Sequence, residues 1–143
     1  MSATTGAAGY SGTPLPRKLG IKPGARVALI GAPEGFEAAL ARLPEGVVVR
    51  RRLGREPFDV IVAFFAERST LERRLAGLSA ALDPAGGLWI AWPKRASRVP
   101  TDVTEGAVRD LGLAAGLVDN KVCAIDQVWS GLRFVYRLRD RPR

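Results

Sequence analysis

Histidine is absent from the 143 residues, and cysteine occurs once, at Cys123. Without histidine the chain has no Ser-His-Asp or Cys-His catalytic system, no imidazole metal site and no histidine general base. A single thiol excludes an internal disulfide and a cysteine-based zinc site. We therefore predict no metal site and assign no catalytic residue. Any acid–base chemistry would fall to Asp, Glu, Lys, Tyr or Cys123.

Long apolar runs are also missing. The strongest run, Val60 to Ala66, is too short to span a bilayer, which predicts no membrane association. The N-terminus lacks the basic segment followed by an apolar one that marks a secretory signal, so we expect a cytoplasmic protein. Residues 1–13 are rich in Ser, Thr, Gly and Ala and predict a flexible arm. The remainder, 14–143, fits one domain with a real core.

Acidic residues are outnumbered, with 22 Lys and Arg against 14 Asp and Glu, for a net charge of +8. The arginines are spread along the chain, with clusters at Arg50–Arg52 and in the C-terminal tail. A basic balance without a binding motif does not favour nucleic acid as the partner. Arginines on an edge strand also block strand-to-strand aggregation. A small anionic ligand or a protein stay as candidate partners.

Apolar segments of strand length alternate with segments of helical spacing. We predict strands over 26–31, 47–50, 58–65, 88–92, 118–126 and 132–138. We predict helices over 13–20, 33–43, 69–82 and 102–115, of which the last two open on the capping boxes Ser69–Glu72 and Asp102–Glu105. The link between the last two strands is too short for a parallel crossover and predicts a hairpin. The pattern predicts a single three-layer, Rossmann-like α/β domain with a mostly parallel sheet and a C-terminal antiparallel hairpin.

Over about residues 20–140 the pattern resembles the class I methyltransferase fold. The likeness is carried by Ile21–Val27, Phe58–Val62, Leu82–Ile90 and the terminal hairpin. The resemblance implies a truncated form of that fold, in which one strand–helix unit after the second strand is missing. It implies the strand order 2-1-4-5-7-6 in the numbering of that fold.

Two features depart from the cofactor-binding members of that fold. Such members resemble one another in a glycine-rich loop after the first strand and an acidic residue at the end of the second. Here the loop is Gly31-Ala-Pro-Glu-Gly35, without a Gly-x-Gly-x-Gly run, and the second strand ends in Arg50–Arg52. A guanidinium has only donors, so it cannot accept hydrogen bonds from ribose hydroxyls. These departures disfavour S-adenosylmethionine (SAM) as the cofactor.

More closely, the chain is similar to a family of small bacterial proteins known as domain of unknown function 3052. The stretches that carry this likeness are Ser11–Leu15 with Lys18–Ile21, Trp92–Lys94 with Pro100–Asp102 and Thr104–Glu105, and Gly116–Asp126 with Trp129–Phe134. The resemblance implies no established activity and adds no mechanism.

Ligands of open parallel sheets bind at the carboxyl ends of the strands. The candidate ligand-binding residues at that edge are Gly31, Ala32, Glu34, Gly35, Trp92, Lys94, Thr101, Asp126 and Trp129. Each has a plain alternative. The Gly31–Gly35 loop either presents a helix N-terminus to an anion or is a tight turn. Lys94 either meets an anionic group or is solvated, and Trp129 either stacks on a ligand or caps the core.

Two groups lie in the strand predicted over 118–126. The Asp119–Lys121 segment near its start predicts a turn or a salt bridge. Cys123, inside it, predicts a buried and inert thiol.

Three functions follow from these observations. The stripped glycine loop and the lack of histidine favour a non-catalytic module that binds a small ligand or a protein partner. The first alternative is an atypical SAM-dependent, methyltransferase-like enzyme. The second is a basic nucleic-acid-binding protein.

Overall fold

A computed structural model describes residues 13–140, so the predicted arm over 1–13 lies outside the described residues except for Thr13. The helices are α1 (Leu15–Lys18), α2 (Arg68–Ala80) and α3 (Glu105–Ala114). The strands are β1 (Arg26–Ile30), β2 (Val48–Arg50), β3 (Phe58–Phe64), β4 (Leu82–Pro93), β5 (Leu117–Ala124) and β6 (Trp129–Tyr136). Short 3₁₀ helices cover Phe36–Leu40, Arg95–Ser97 and Leu138–Asp140. In the described part of the chain, none of the helices has the length and apolar character needed to cross a bilayer.

The six strands form one sheet in the order β2-β1-β3-β4-β6-β5. The first four are parallel, with Val27 opposite Val60 and Ile61 opposite Leu88. Strand β6 runs antiparallel to both of its neighbours, β4 and β5. This order equals 2-1-4-5-7-6 once the missing strand of the resembled fold is allowed for. The predicted α/β class, parallel sheet and terminal hairpin are confirmed.

Both faces of the sheet are buried at its centre, which explains why strand β3 is apolar almost throughout. Along β3 the side chains alternate between the two faces. Ile61 and Ala63 belong to the core under α2 and α3, whereas Val60 and Val62 belong to the core under α1 and the first 3₁₀ helix. The largest fully buried side chain, Trp89, lies in the second core.

Several predicted element bounds are wrong, including the start of β6, which is Trp129 where 132 was predicted, and three other errors are instructive. The helix over 33–43 is only the 3₁₀ helix Phe36–Leu40, because Gly35 adopts φ 82° in the left-handed region and interrupts regular helical geometry. Strand β4 begins at Leu82, which pairs with Phe58 instead of ending a helix. Leu138 was assigned to the last strand, yet β6 ends at Tyr136 and Leu138 is 78% exposed.

Neither predicted capping box forms. Helix α2 begins at Arg68, so Ser69 lies inside it. Helix α3 begins at Glu105, and the cap is Thr104, whose side chain accepts a hydrogen bond from the Ala107 amide at 3.1 Å. Asp102 instead accepts from the Arg68 amide at 2.7 Å. It therefore satisfies a free N–H group at the start of α2, a helix far from it in the chain.

We expect Asp102→Ala to lower the free energy of unfolding by about 1 kcal/mol, because the Arg68 amide loses its acceptor. Urea titration followed by circular dichroism measures the change. Asp102→Asn is the control, since its amide oxygen still accepts the hydrogen bond and the loss should be smaller. Equal losses in both variants would contradict a capping role.

Candidate functional site

The carboxyl ends of the parallel strands meet at one edge of the sheet, and the predicted site residues lie along it. Strand β1 ends before the Gly31–Gly35 turn, β3 ends at Phe64, and β4 ends at Pro93. Pro93 is paired with Trp129, and the Lys94 amide donates to the Val128 carbonyl at 2.7 Å. The structure thus brings the turn, Lys94 and the hairpin connection to the same edge.

The Gly31–Gly35 turn passes close to β3. Gly31 adopts φ 68°, and a Cβ at this position would lie 3.0 Å from the Phe64 carbonyl oxygen. The five-residue 3₁₀ helix that follows does not present the α-helical N-terminus on which the predicted anion site depends. Ala32 is half-buried and Glu34 is exposed. The plain-turn interpretation of this loop is therefore the better one.

Aromatic side chains cover the sheet edge beside this turn. The Phe64 ring makes edge-to-face contacts with Phe36, at 4.9 Å between centroids, and with Trp129, at 5.1 Å. Phe36 and Phe64 are buried, and Trp129 is half-buried. Of the two predicted roles for Trp129, the geometry favours capping the core.

Two predicted polar residues are already committed to holding loops. The Asp126 carboxylate accepts from the Val128 and Trp129 amides, both at 2.8 Å. The Thr101 hydroxyl donates to the Ala66 carbonyl at 2.6 Å and accepts from the Val103 amide at 3.0 Å. The Thr101–Ala66 bond ties the segment after β4 to the end of β3. The side chains of Asp126 and Thr101 thus hold the shape of the sheet edge and are already engaged in hydrogen bonds.

A cavity of about 430 Å³ opens beside the end of β4. Predicted site residues Trp92 and Thr101 line it, together with Arg95, Arg98, Val99 and Glu105. Arg98 adopts φ 62°, the left-handed region, and is alone in this among the non-glycine residues of 13–140. Neither the Arg95 nor the Arg98 guanidinium has a hydrogen-bond or ion-pair partner within that range. The cavity therefore carries two guanidiniums without an ion pair in that range, beside the Glu105 carboxylate, which pairs with Arg109.

Glu37 is a residue that the sequence reasoning missed. It lies on the 3₁₀ helix after β1 and forms an ion pair with Arg51, one residue beyond the end of β2. A carboxylate thus stands next to the end of β2, although β2 itself ends in arginines. The two side chains stay 52% and 61% exposed, so the Glu37 oxygens can accept further hydrogen bonds. In the sequence, the signal for Glu37 was its position between two apolar residues, Phe36 and Leu40, which the structure buries.

The remaining sequence predictions concern β5. Asp119 forms the predicted salt bridge, with Arg109 at 3.0 Å. Hydrogen bonds to Glu105 and Asp119 raise the pKa of the Arg109 guanidinium. Cys123 is half-buried, and burial raises the pKa of its thiol, which disfavours the reactive thiolate.

Solved structures with a similar fold include several methyltransferases. A SAM-dependent methyltransferase from Aquifex aeolicus shares 17% identity with a TM-score of 0.62, over 82% of this chain and 85% of the other. The magnesium protoporphyrin IX methyltransferase of Synechocystis PCC 6803, with bound SAM, shares 10% with a TM-score of 0.60, over 86% and 74%. A ribosomal protein L11 methylase from Lactobacillus delbrueckii shares 12% with a TM-score of 0.56, over 86% and 75%. No protein-family model matches the chain, and no curated protein does.

These neighbours correct two predictions. The preferred function was a non-catalytic binding module, and SAM was disfavoured as the cofactor. Several of the similar structures are methyltransferases, and the magnesium protoporphyrin IX methyltransferase was crystallised with SAM and with SAH, which favours the enzymatic alternative. At these low identities the likeness establishes architecture. The chain has the class I methyltransferase fold, in a form reduced to six strands.

Proposed function

We propose that this protein is a SAM-dependent methyltransferase with an atypical cofactor loop. The observation that carries the proposal is the sheet order β2-β1-β3-β4-β6-β5, with β6 alone antiparallel. Structures superposing on it over more than four-fifths of the chain include one crystallised with SAM. The cytoplasmic location and the likeness to the bacterial family of unknown function stay predictions.

The chain offers a surface that fits the cofactor at the ends of β1 and β2. The Gly31–Gly35 turn brings backbone close to β3 without side chains at its two glycines. Glu37 supplies a carboxylate beside the end of β2, where Arg50–Arg52 offer only donors. The arginines at the end of β2 disfavoured SAM because they cannot accept hydrogen bonds from the ribose. In this proposal the acceptor comes from the 3₁₀ helix after β1 instead. We assign ribose hydroxyl recognition to Glu37.

The bound cofactor would supply an electrophilic methyl group on a sulfonium. The chain's own part is to place an acceptor molecule next to it, since alignment of the reacting atoms is the main requirement of such a transfer. The cavity at Trp92 adjoins the end of β3 through the Thr101–Ala66 hydrogen bond. Its guanidiniums, Arg95 and Arg98, favour an acceptor that carries a carboxylate or phosphate.

Calorimetric titration with SAM tests the proposal. We expect the wild-type protein to bind SAM and Glu37→Gln to bind it about tenfold more weakly, because a charged acceptor is lost. Both side chains of the Glu37–Arg51 ion pair are exposed, so breaking it should lower the free energy of unfolding by no more than about 1 kcal/mol.

Arg51→Gln is the matched control. It breaks the same ion pair but leaves the Glu37 carboxylate in place, so its affinity for SAM should be unchanged or higher. Equal weakening in both variants would contradict the role of Glu37. No heat of binding and no melting shift of the wild-type protein with millimolar SAM would overturn the proposed function itself.

A further inference from the structure

Arginines line one flank of the sheet, from the starts of β1 and β3 to the end of β2. A shallow concavity of about 370 Å³ is lined by Arg26, Arg50, Arg52, Arg55, Gly54, Glu56 and Phe58. Arg26 and Phe58 begin β1 and β3, whereas the cofactor edge lies where these strands end. Arg50 reaches this flank because the short β2 pairs only with the first half of β1, with Arg50 opposite Ala28.

The concavity exists because the chain returns directly from β2 to β3. Residues 51–57 form no helix and no strand. In the resembled fold a further strand–helix unit follows the second strand, and this chain lacks it. The flank of β1 and β2 is therefore covered by an open loop that carries Arg52 and Arg55.

Most of this positive charge is not neutralised by the protein. Arg26 is held in place, because its Nε donates to the Pro57 carbonyl at 3.2 Å and its guanidinium lies 3.5 Å from Glu56 and 4.9 Å from the Phe58 ring centroid. Arg50 has one long hydrogen bond, to its neighbour's carbonyl at 3.4 Å. Arg52 and Arg55 have no ion pair among residues 13–140.

Protection of a sheet edge does not account for this arrangement. Charged side chains on β2 would block pairing with another strand, which explains Arg50. Arg26 lies on an inner strand, and Arg52 and Arg55 lie on the loop. Four guanidiniums around one carboxylate give this surface an excess of positive charge, which attracts an anionic partner.

We propose that this concavity binds the phosphodiester backbone of a nucleic-acid strand, a function beyond methyl transfer. Arg50, Arg52 and Arg55 are exposed on an open surface, where a small anion would be held weakly because water and salt screen each contact. A polyanion engages several guanidiniums at once and releases its condensed counterions. Planar guanidiniums also match the two oxygens of a phosphate.

The test compares two triple variants with the wild-type protein. Arg50→Gln, Arg52→Gln and Arg55→Gln are combined in the first, and Arg26 is kept because it anchors the loop. The control combines Arg17→Gln, Lys22→Gln and Arg42→Gln, three exposed cations around a separate concavity. Both variants lose the same net charge, and only the first loses the proposed surface.

The probe is a labelled single-stranded RNA of about 20 nucleotides, titrated at several salt concentrations between roughly 50 and 200 mM. We expect the first variant to bind at least about tenfold more weakly and its log–log salt slope to fall by about 2, or about 0.7 for each lost contact. The control variant should stay within about threefold of wild type, since its cations do not face the strand.

Three results would overturn the proposal: no RNA binding by the wild-type protein, equal weakening in both variants, or equally tight binding of poly-glutamate of similar length. The last would assign the surface to an acidic protein. SAM affinity, measured on all three proteins, is a separate readout: Arg50 and Arg52 flank Arg51 of the Glu37 ion pair, so a change in SAM affinity with unchanged RNA affinity concerns the cofactor site and contradicts the RNA surface.

Discussion

Trp89→Ala is expected to lower the free energy of unfolding by about 3–5 kcal/mol, the usual cost of deleting a large buried aromatic side chain. Trp89 is fully buried in the middle of β4, in the core that faces α1. Its indole Nε1 donates to the Leu19 carbonyl at 3.0 Å. The side chain thus holds the segment after α1 against the sheet, and its loss removes the packing between the two.

Guanidinium chloride titration followed by far-ultraviolet circular dichroism measures the effect without relying on tryptophan fluorescence. Trp89→Phe is the control, because it keeps an aromatic ring but leaves the Leu19 carbonyl without a donor. We expect it to cost about 1–3 kcal/mol, the penalty for a buried unpaired polar group. If Trp89→Ala costs no more than Trp89→Phe, packing around the indole is not what stabilises this region.

The order and direction of the strands could be predicted because they follow from rules that act over short stretches of chain. Strand β3 is apolar along nearly its whole length, as a strand buried on both faces must be. The link of only four residues between β5 and β6 leaves room only for a hairpin. From there the resemblance supplied the strand order that the structure confirms.

The cap of α2 could not be predicted, since it depends on a tertiary contact. The sequence pattern assigns Asp102 to the nearest helix, yet its carboxylate reaches α2 through the fold. Similarly, β4 starts at Leu82 because Phe58 pairs with it across an irregular stretch. At Gly86, a Cβ would lie 2.6 Å from the Asp59 carbonyl oxygen, and no local pattern reveals so close an approach.

The candidate site, too, could be predicted only in part. Its edge could be located because carboxyl ends of parallel strands share one side of a sheet. The pairing of Glu37 with Arg51 could not, because it joins a 3₁₀ helix to the end of a different strand. Disfavouring SAM from the Gly31–Gly35 loop and the arginines of β2 was wrong, as the similar structures with bound SAM or SAH indicate. A missing acceptor on one strand says little when a neighbouring segment can supply it.

Gly112→Ala is the second large effect, an expected loss of about 2–3 kcal/mol from overpacking. Gly112 lies on α3 and faces β6, where a Cβ would overlap the Phe134 ring at less than 3 Å from three of its atoms. Phe134 is fully buried between α3 and the sheet, so its ring has no free space into which to move. The glycine is therefore what lets the helix lie close against the hairpin.

Gly106→Ala is the matched control on the same helix, since a Cβ at Gly106 meets nothing within 4 Å. There the substitution should raise stability by up to about 1 kcal/mol, because alanine restricts the unfolded chain and favours the helix. Opposite signs in thermal melts of the two variants are expected. If Gly112→Ala is stabilising as well, helix propensity outweighs the contact with Phe134, and the close approach of α3 to β6 is not a constraint on the fold.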